Sequence, residues 1–325
     1  MAQAVVIRTF GGPEVLVAEE VAVAPPGPGE VRIQQRAIGV NFHDCYVRSG
    51  MYDTLTLPGI PGCEAAGVVT EIGPEVDGLR VGDRIGYVTP LYGASASERV
   101  LPAALAIPIP GGVEDDVVAA NLLRATTVDM LTRHVVQVQA GMTVLVHAAA
   151  GGVGRLLCQM AAHLGATVLG TVGSEAKAAV ARAAGCAEPI LYREVDFVSA
   201  VQDLAPDGVD VVYDAVGADT FDGSLAVLGI GGHLVNYGQS SGAVAPLAMS
   251  TLATKSLVVS RPIIFHYLRN PQRYQEMGAR ALNWLAEGPL VANEVQSFAL
   301  DDAASAHRLL EARNPSGRSI ILTPN

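Results

Sequence analysis

Two hydrophobic rhythms divide the chain. Over about the first 110 residues, short β-branched runs separated by Pro and Gly predict a compact, turn-rich β domain. Examples are Val31-Arg32-Ile33-Gln34, Gly67-Val68-Val69-Thr70-Glu71-Ile72-Gly73 and Arg84-Ile85-Gly86-Tyr87-Val88. Pro108, Pro110, Gly111 and Gly112 interrupt this pattern, and 114–139 then carries Val128, Leu131 and Val135 at helical spacing. A domain boundary near residue 121 follows. From Thr143 onward apolar strands begin near Thr143, Ala166, Pro189, Val209, His233 and Ser256, roughly 20–24 residues apart with helical patterns between most of them. This period predicts six parallel strands with crossover helices, a doubly wound α/β sheet. Ala-rich runs such as 176–184 supply helices that can lie close on a sheet, and Asp196 and Asp219 stand where N-caps are expected. Beyond Pro262 the pattern changes to a polar helix over 271–287, a strand over 294–300, a final helix and a closing strand Ser319-Ile320-Ile321-Leu322. That tail is too short to stand alone and is expected to return to the first domain.

Composition narrows the function classes. At 325 residues the chain exceeds one ordinary core, and about two domains of ~150 residues are expected. Half the residues are hydrophobic and only 16% are charged, which fits strands covered on both faces and excludes disorder. A net charge of -11 with scattered Lys and Arg offers no field for a polyanion, so nucleic-acid binding is excluded. Mean hydropathy is +0.34, yet Gly, Pro or a charge breaks every apolar run before the ~20 residues needed to cross a bilayer. No membrane association is expected. The N-terminus enters a strand-like run without the features of a signal peptide, so the cytoplasm is the expected compartment. Cys45, Cys63, Cys158 and Cys186 lie far apart and read as reduced thiols.

The strand Thr143-Val144-Leu145-Val146-His147 runs into Ala148-Ala149-Ala150-Gly151-Gly152-Val153-Gly154 and then a helical segment. Strand, glycine turn and helix in that order place a pyrophosphate at a helix N-terminus, where free N–H groups and the dipole favour negative charge. Against G-x-G-x-x-G, Ala149 stands in the first glycine's place. A pattern of five further strands raises this turn from a weak motif to a dinucleotide site. NAD sites usually hold an acid ~20 residues after the turn. Here the second strand ends Thr171-Val172-Gly173-Ser174, without one, while Lys177, Tyr192 and Arg193 supply a cation and hydroxyls for a 2′-phosphate. NADPH is therefore the expected cofactor, with Glu175 as an anionic neighbour.

The ordered motifs Asn41-Phe42-His43-Asp44-Cys45-Tyr46-Val47-Arg48-Ser49-Gly50, Gly62-Cys63-Glu64-Ala65-Ala66-Gly67, Val81-Gly82-Asp83-Arg84, the turn at 148–154, Asp214-Ala215-Val216-Gly217 and Gly238-Gln239-Ser240-Ser241-Gly242 resemble the medium-chain dehydrogenase/reductase superfamily. Within it they are most similar to the zinc-independent, NADPH-dependent quinone oxidoreductases, the zeta-crystallin-like group. The resemblance implies a GroES-like catalytic domain over 1–121, completed by 266–325, beside a Rossmann domain over 122–265, with the active site in the cleft between them. It also implies that Phe42, His43, Asp44 and Tyr46 line the nicotinamide end, that Asn41, Tyr46 and Tyr52 complete the substrate set, and that Met130 lies at a cofactor-lining helix position. Gly173, Ser174, Lys177 and Tyr192 would hold the adenosine phosphate. Ala215, Tyr237, Gly238, Gln239, Ser240 and Ile263 would bracket nicotinamide and ribose, and Arg313 matches a basic position in the tail. A homodimer is implied too.

Zinc-dependent relatives use a Cys where this chain has Asn41 and a His where it has Cys63, and the stretch 88–98 lacks the four cysteines of their structural zinc. No metal is expected. His43 departs from the resemblance: it is either a titratable group beside the substrate or a polar side chain bonded locally. The expected activity is hydride transfer from NADPH to a quinone, with reduction of an enone or acrylate-like C=C bond as an alternative. A non-catalytic NADPH-binding or crystallin-like protein is the second alternative. Protonation of the reduced substrate is expected from Tyr52, Tyr46 or His43.

Overall fold

The alternating runs of the first third fold into strands. The computed structural model describes residues 1–312 and 318–324. The chain divides into two units, the first holding 1–123, 268–288 and the described residues of 292–325, the second holding 124–267 and 289–291. In the first unit β1 (Ala2–Val6) and β2 (Val17–Val21) pair as an antiparallel ribbon. The long β3 (Glu30–Val40) alternates Val31, Ile33, Gln35 and Ala37 into the core, and it leads into α1 (Phe42–Arg48). Then come β4 (Glu64–Ile72), β5 (Arg84–Val88), β6 (Glu98–Pro102) and the short β7 (Ile107–Pro108). Helix α2 (Asp115–Asp129) runs across the division and ends in a π-helical turn, Met130–Val135, where the sequence pattern read as unbroken helix.

The second unit alternates strand and helix: β8 (Thr143–Val146), α3 (Gly152–His163), β9 (Thr167–Val172), α4 (Glu175–Ala183), β10 (Glu188–Leu191), α5 (Phe197–Leu204), β11 (Val209–Asp214), α6 (Phe221–Val227), β12 (Leu228–Asn236), α7 (Met249–Ala253), β13 (Val258–Ser260) and α8 (Ile264–Tyr267). All neighbouring strands are parallel, in the order β10-β9-β8-β11-β12-β13. The order reverses between β8 and β11, and a ligand crevice is expected at the carboxyl ends of those strands. Leu145, Leu169, Val212 and Leu234 from four of the strands are buried in one core. Two details differ from expectation. β12 begins at Leu228, because a register shift between Val209 and Val211 on β11 absorbs the glycine run before His233. Asp196 caps α5 by accepting from Ser199 N at 2.9 Å, whereas Thr220, not Asp219, precedes α6.

The chain then returns to the first unit through α9 (Pro271–Ala286), β14 (Val295–Ala299), α10 (Ala303–Glu311) and β15 (Ser319–Thr323). β15 pairs antiparallel with the second half of β3, while β6 pairs with its first half, giving the order β14-β15-β3-β4-β5-β7. A buried clamp pins α1 to α10. The Arg48 guanidinium donates to Glu311 Oε1 at 2.6 Å, lies 3.2 Å from His307 Nδ1, and donates through Nε to Gly11 O at 3.1 Å. Burial and the Arg48 charge lower His307 to about 3, so its ring stays neutral. No helix among the described residues is long and apolar enough to cross a membrane.

Candidate active site

In the second unit β8 passes into the turn that opens α3. The residue with left-handed backbone there is Ala148, at φ 53°, one position before the Ala149 that stands for the motif's first glycine. Gly154 is required by close approach: a Cβ on it would lie 2.3 Å from Ala148 O, a backbone atom that cannot yield. This contact seats the first turn of α3 on the strand end and aims its free N–H groups outward. A Cβ on Gly152 would lie 2.9 Å from Arg124 Nε, so a guanidinium packs against the same helix start. Sequence reading missed Arg124 because it lies on a helix a full strand upstream.

At the end of β9, neighbouring side chains close on Gly173. A Cβ on it would lie 2.8 Å from Tyr192 Oη and 3.5 Å from Arg193 Nε, so a hydroxyl and a guanidinium both rest against that backbone. Ser174 caps α4 by accepting from Lys177 N at 3.4 Å, which fixes Lys177 on the first turn. The Glu175 carboxylate accepts from Arg182 Nη1 at 2.8 Å along the exposed face of α4. A hydroxyl and a guanidinium thus stand at the end of β9, with Lys177 on the first turn of the helix that follows.

The loops after β11 and β12 meet backbone to backbone. Asp214 Oδ1 accepts from Val216 N at 2.7 Å, Gly217 N at 3.1 Å and Thr220 Oγ1 at 2.9 Å. Its carbonyl accepts from Tyr237 N at 2.8 Å, and Ser240 N donates to Ala215 O at 3.2 Å. Ala215, Gly238, Gln239 and Ser240 are thus brought together as the motifs imply. The Tyr237 hydroxyl instead turns inward, buried with no hydrogen-bond partner among the described residues, and burial together with the Asp214 charge raises its pKa. Met130, at the start of the π-helical turn, is 1% exposed. Ile263, between β13 and α8, is exposed at 47%. Arg313 lies outside the described residues.

In the first unit, α1 displays the other candidate residues. Asn41 precedes the helix and donates through Nδ2 to Glu64 Oε1 at 2.6 Å. The buried Glu64 also accepts from Leu123 N at 2.7 Å. Asp44 is not presented to a cofactor: it is buried and its Oδ2 accepts from Asn41 N at 2.7 Å, satisfying the helix start. Burial raises its carboxyl to about 7. Phe42, 38% exposed, Tyr46 and Tyr52 form an aromatic run with centroids 6.3 Å and 5.2 Å apart. His43 continues it, 5.6 Å from the Tyr52 ring and stacked 5.9 Å from Tyr92. Its Nε2 lies 3.2 Å from Tyr92 Oη, which in turn meets Thr54 Oγ1 at 2.5 Å. Burial lowers His43 to about 4, so it is a neutral imidazole near pH 7 and not the imidazolium an ordinary histidine becomes near 6.5. Tyr92 and Thr54 escaped sequence reading: they come from irregular loops, and no periodicity ties them to position 43.

The positions of former zinc ligands are otherwise engaged. Asn41 serves Glu64, and the Cys63 thiol is held well above the usual thiol range by burial and the nearby Asp44 and Glu64 charges. Among the described residues no group of three or more His, Cys, Asp or Glu is placed to hold a metal ion. All four cysteines are buried and free.

Residues 27–120 match the alcohol dehydrogenase GroES-like domain and residues 152–283 the zinc-binding dehydrogenase family. The chain is 41% identical to a 2-haloacrylate reductase from a Burkholderia species, over 100% of this chain and 99% of that protein. It is 40% identical to a quinone oxidoreductase of Pseudomonas aeruginosa, over 99% of this chain and 100% of the other. The crystal structure of the Escherichia coli quinone oxidoreductase complexed with NADPH superimposes with a TM-score of 0.94 at 37% identity, covering 100% of both chains.

Proposed function

The chain belongs to the medium-chain dehydrogenase/reductase superfamily and, within it, to the quinone oxidoreductases, and from that premise we propose that it reduces a quinone with NADPH and without a metal. The observation that carries the reading is the end of β9 at Gly173, where Tyr192 Oη and Arg193 Nε converge and no acid ends the strand. A 2′-phosphate fits that chemistry, whereas the nearest carboxylate a ribose diol could use, Glu175, is taken by Arg182.

In this reading Gly151, Gly152 and Val153 present their N–H groups to the pyrophosphate. Ser174, Lys177, Tyr192 and Arg193 take the 2′-phosphate. Ala215, Gly238, Gln239, Ser240 and Ile263 hold the nicotinamide ribose, and Arg313 adds a tail cation. When bound, the cofactor supplies the hydride. Asn41, Phe42, Tyr46 and Tyr52 hold a flat acceptor and exclude water, so the protein acts mainly by positioning. A conjugated acceptor spreads the arriving charge onto a distant oxygen and so needs no Lewis acid. The engaged Asn41 and the protonated Cys63 support a metal-free site.

Identity to a 2-haloacrylate reductase favours a second reading, reduction of a C=C bond conjugated to a carbonyl, which requires the same hydride geometry. The reading also takes the enzyme to be a cytoplasmic homodimer. The exposed edge strand β13, with Val258 at 47%, supports a twofold partner there. The test is dihydronicotinamide absorbance during mixing with quinones, enones and haloacrylates. Turnover of quinones fits the first reading, selective turnover of the acrylates the second, and none with NADPH still bound overturns both.

A further inference from the structure

We propose that Thr54, Tyr92 and His43 form a proton wire from solvent to the reduced acceptor, with Tyr92 as its middle member and His43 as the group that hands the proton over. The inference rests on the functional reading above, because it concerns the same acceptor. Its basis is a run of three side chains from separate segments of one unit. Thr54 is exposed, and its Oγ1 meets Tyr92 Oη at 2.5 Å. Tyr92 is 7% exposed, and its Oη lies 3.2 Å from His43 Nε2. A continuous polar path thus joins the aromatic run to the surface through Tyr92 and Thr54.

The path is held against a conformational cost. Tyr92 has a left-handed backbone, at φ 47°, which is unfavourable for a residue with a Cβ and persists where surroundings over-determine it. Its ring stacks on His43 at an interplanar angle of 14°, and Tyr52 contacts the imidazole as well. The ring is fixed in the plane that the hydrogen bond needs. With His43 neutral near pH 7, one nitrogen accepts while the other donates, so the imidazole passes a proton without storing a charge.

Hydride transfer brings two electrons and one hydrogen to the acceptor and leaves an oxyanion. The bond from His43 Nδ1 to its hydrogen breaks as the new O–H bond forms. His43 Nε2 takes the phenolic proton of Tyr92, Tyr92 Oη takes the hydroxyl proton of Thr54, and Thr54 Oγ1 takes one from water. The sum consumes one solvent proton, as two-electron reduction to a hydroquinone or a saturated carbonyl compound requires. Before the next turnover Nε2 returns its proton through Tyr92 and Thr54 to solvent while Nδ1 takes one from water in the emptied site, which restores the starting tautomer with no net change in protons.

Tyr92→Phe keeps the stacked ring and removes only the hydroxyl, and Thr54→Val keeps the shape of Thr54 likewise. The first readout needs no cofactor: nitrogen-15 NMR of histidine-labelled protein, with His43 assigned by its absence in His43→Phe. The wild type is expected to carry its proton on Nδ1 with Nε2 as acceptor, and Tyr92→Phe to shift the Nε2 resonance. The second is steady-state kcat with NADPH and a quinone. It is expected to fall by about tenfold or more in Tyr92→Phe, in the range of a lost proton-transfer partner, while NADPH affinity is unchanged, and to recover partly with a small buffer acid. Thr54→Val should move kcat in the same direction by less. A wild-type His43 protonated on Nε2, or a Tyr92→Phe enzyme with wild-type kcat, overturns the wire. Equal loss of kcat and NADPH binding overturns it too, by making Tyr92 a packing residue. A wild type that binds NADPH but reduces no acceptor strikes the functional reading instead, and the tautomer then decides the wire.

Discussion

Removal of the Arg193 guanidinium should separate the two nicotinamide cofactors. Arg193 Nε and Tyr192 Oη crowd the same point over Gly173, so a 2′-phosphate placed there meets both and Lys177 from the next helix. A charge-assisted hydrogen bond contributes about 1.5–3 kcal/mol. Tyr192 is half exposed and Arg193 is exposed, so the lower end applies, since water competes for the same donors. At ~1.4 kcal/mol per factor of ten, Arg193→Ala should raise the Kd for NADPH about tenfold. Lys177→Ala should act in the same direction, and the double variant should approach NADH-like affinity. NADH makes none of these contacts, and its Kd should stay where it is. Titration of dihydronicotinamide fluorescence with each cofactor measures both values in each variant. Raising the salt should weaken NADPH more than NADH, because exposed charges are screened over about 10 Å at 0.1 M. Equal losses for both cofactors, or a salt response shared by both, would refute the assignment of the 2′-phosphate to Tyr192, Arg193 and Lys177.

Gly154→Ala should abolish dinucleotide binding and destabilise the second unit by about 1–3 kcal/mol or more, since its Cβ meets Ala148 O at 2.3 Å; urea melts and cofactor titration check this. Arg48→Met leaves the Glu311 carboxylate and His307 without their cation and should cost about 2–4 kcal/mol, read from the shift in urea midpoint. His43, His147 and His307 are lowered to about 4, 4 and 3 by burial. The unfolded chain therefore binds more protons below 6.5, and stability should fall as pH drops from 6.5 toward 4. Asp44, raised to about 7, acts oppositely: the fold holds its proton where the unfolded chain does not, and stability falls as pH rises from about 4 to 7. Asp44→Asn should then raise stability at pH 7 and steepen the acid limb, and a flat midpoint from pH 6.5 to 4.5 in the wild type would contradict the histidine account. Dialysis against a strong chelator should leave turnover intact, and one zinc per chain lost together with activity would contradict the metal-free reading.

Periodicity made the second unit legible, because a buried parallel strand must be apolar along its length and each needs a helix to return. The order β10-β9-β8-β11-β12-β13 obeys the handedness of such crossovers, but other orders would too, so it is read from the structure. The glycine turn was legible for a similar reason: Gly154 is dictated by one backbone contact a few residues away. The departures occur where distant segments meet. Asp44 reads as a site residue in a motif, yet the helix start it caps claims its carboxylate. Met130 begins a π-helical turn that no local signal announced, and its side chain is buried. Tyr237 sits in the right loop with its hydroxyl facing inward. Tyr92 joins His43 across an irregular loop, and Arg124 joins Gly152 across a helix and a strand. Nothing local in the sequence encodes either meeting.

The return of β15 to the second half of β3 bears on how the molecule is made. Ile320 pairs with Val40 and Ile321 with Gly39, so a strand written almost last completes a sheet begun almost first. The second unit is nearly continuous in sequence and has all its strands before β14 is synthesised. On the ribosome it can finish first, while β3 waits with half of one edge bare. An exposed edge is a template for pairing with other chains, and closing so long a loop is slow. A stop codon just before Ser319 would leave that edge bare for good. Such a truncated product should aggregate through its amino-terminal half even though its nucleotide-binding half is complete.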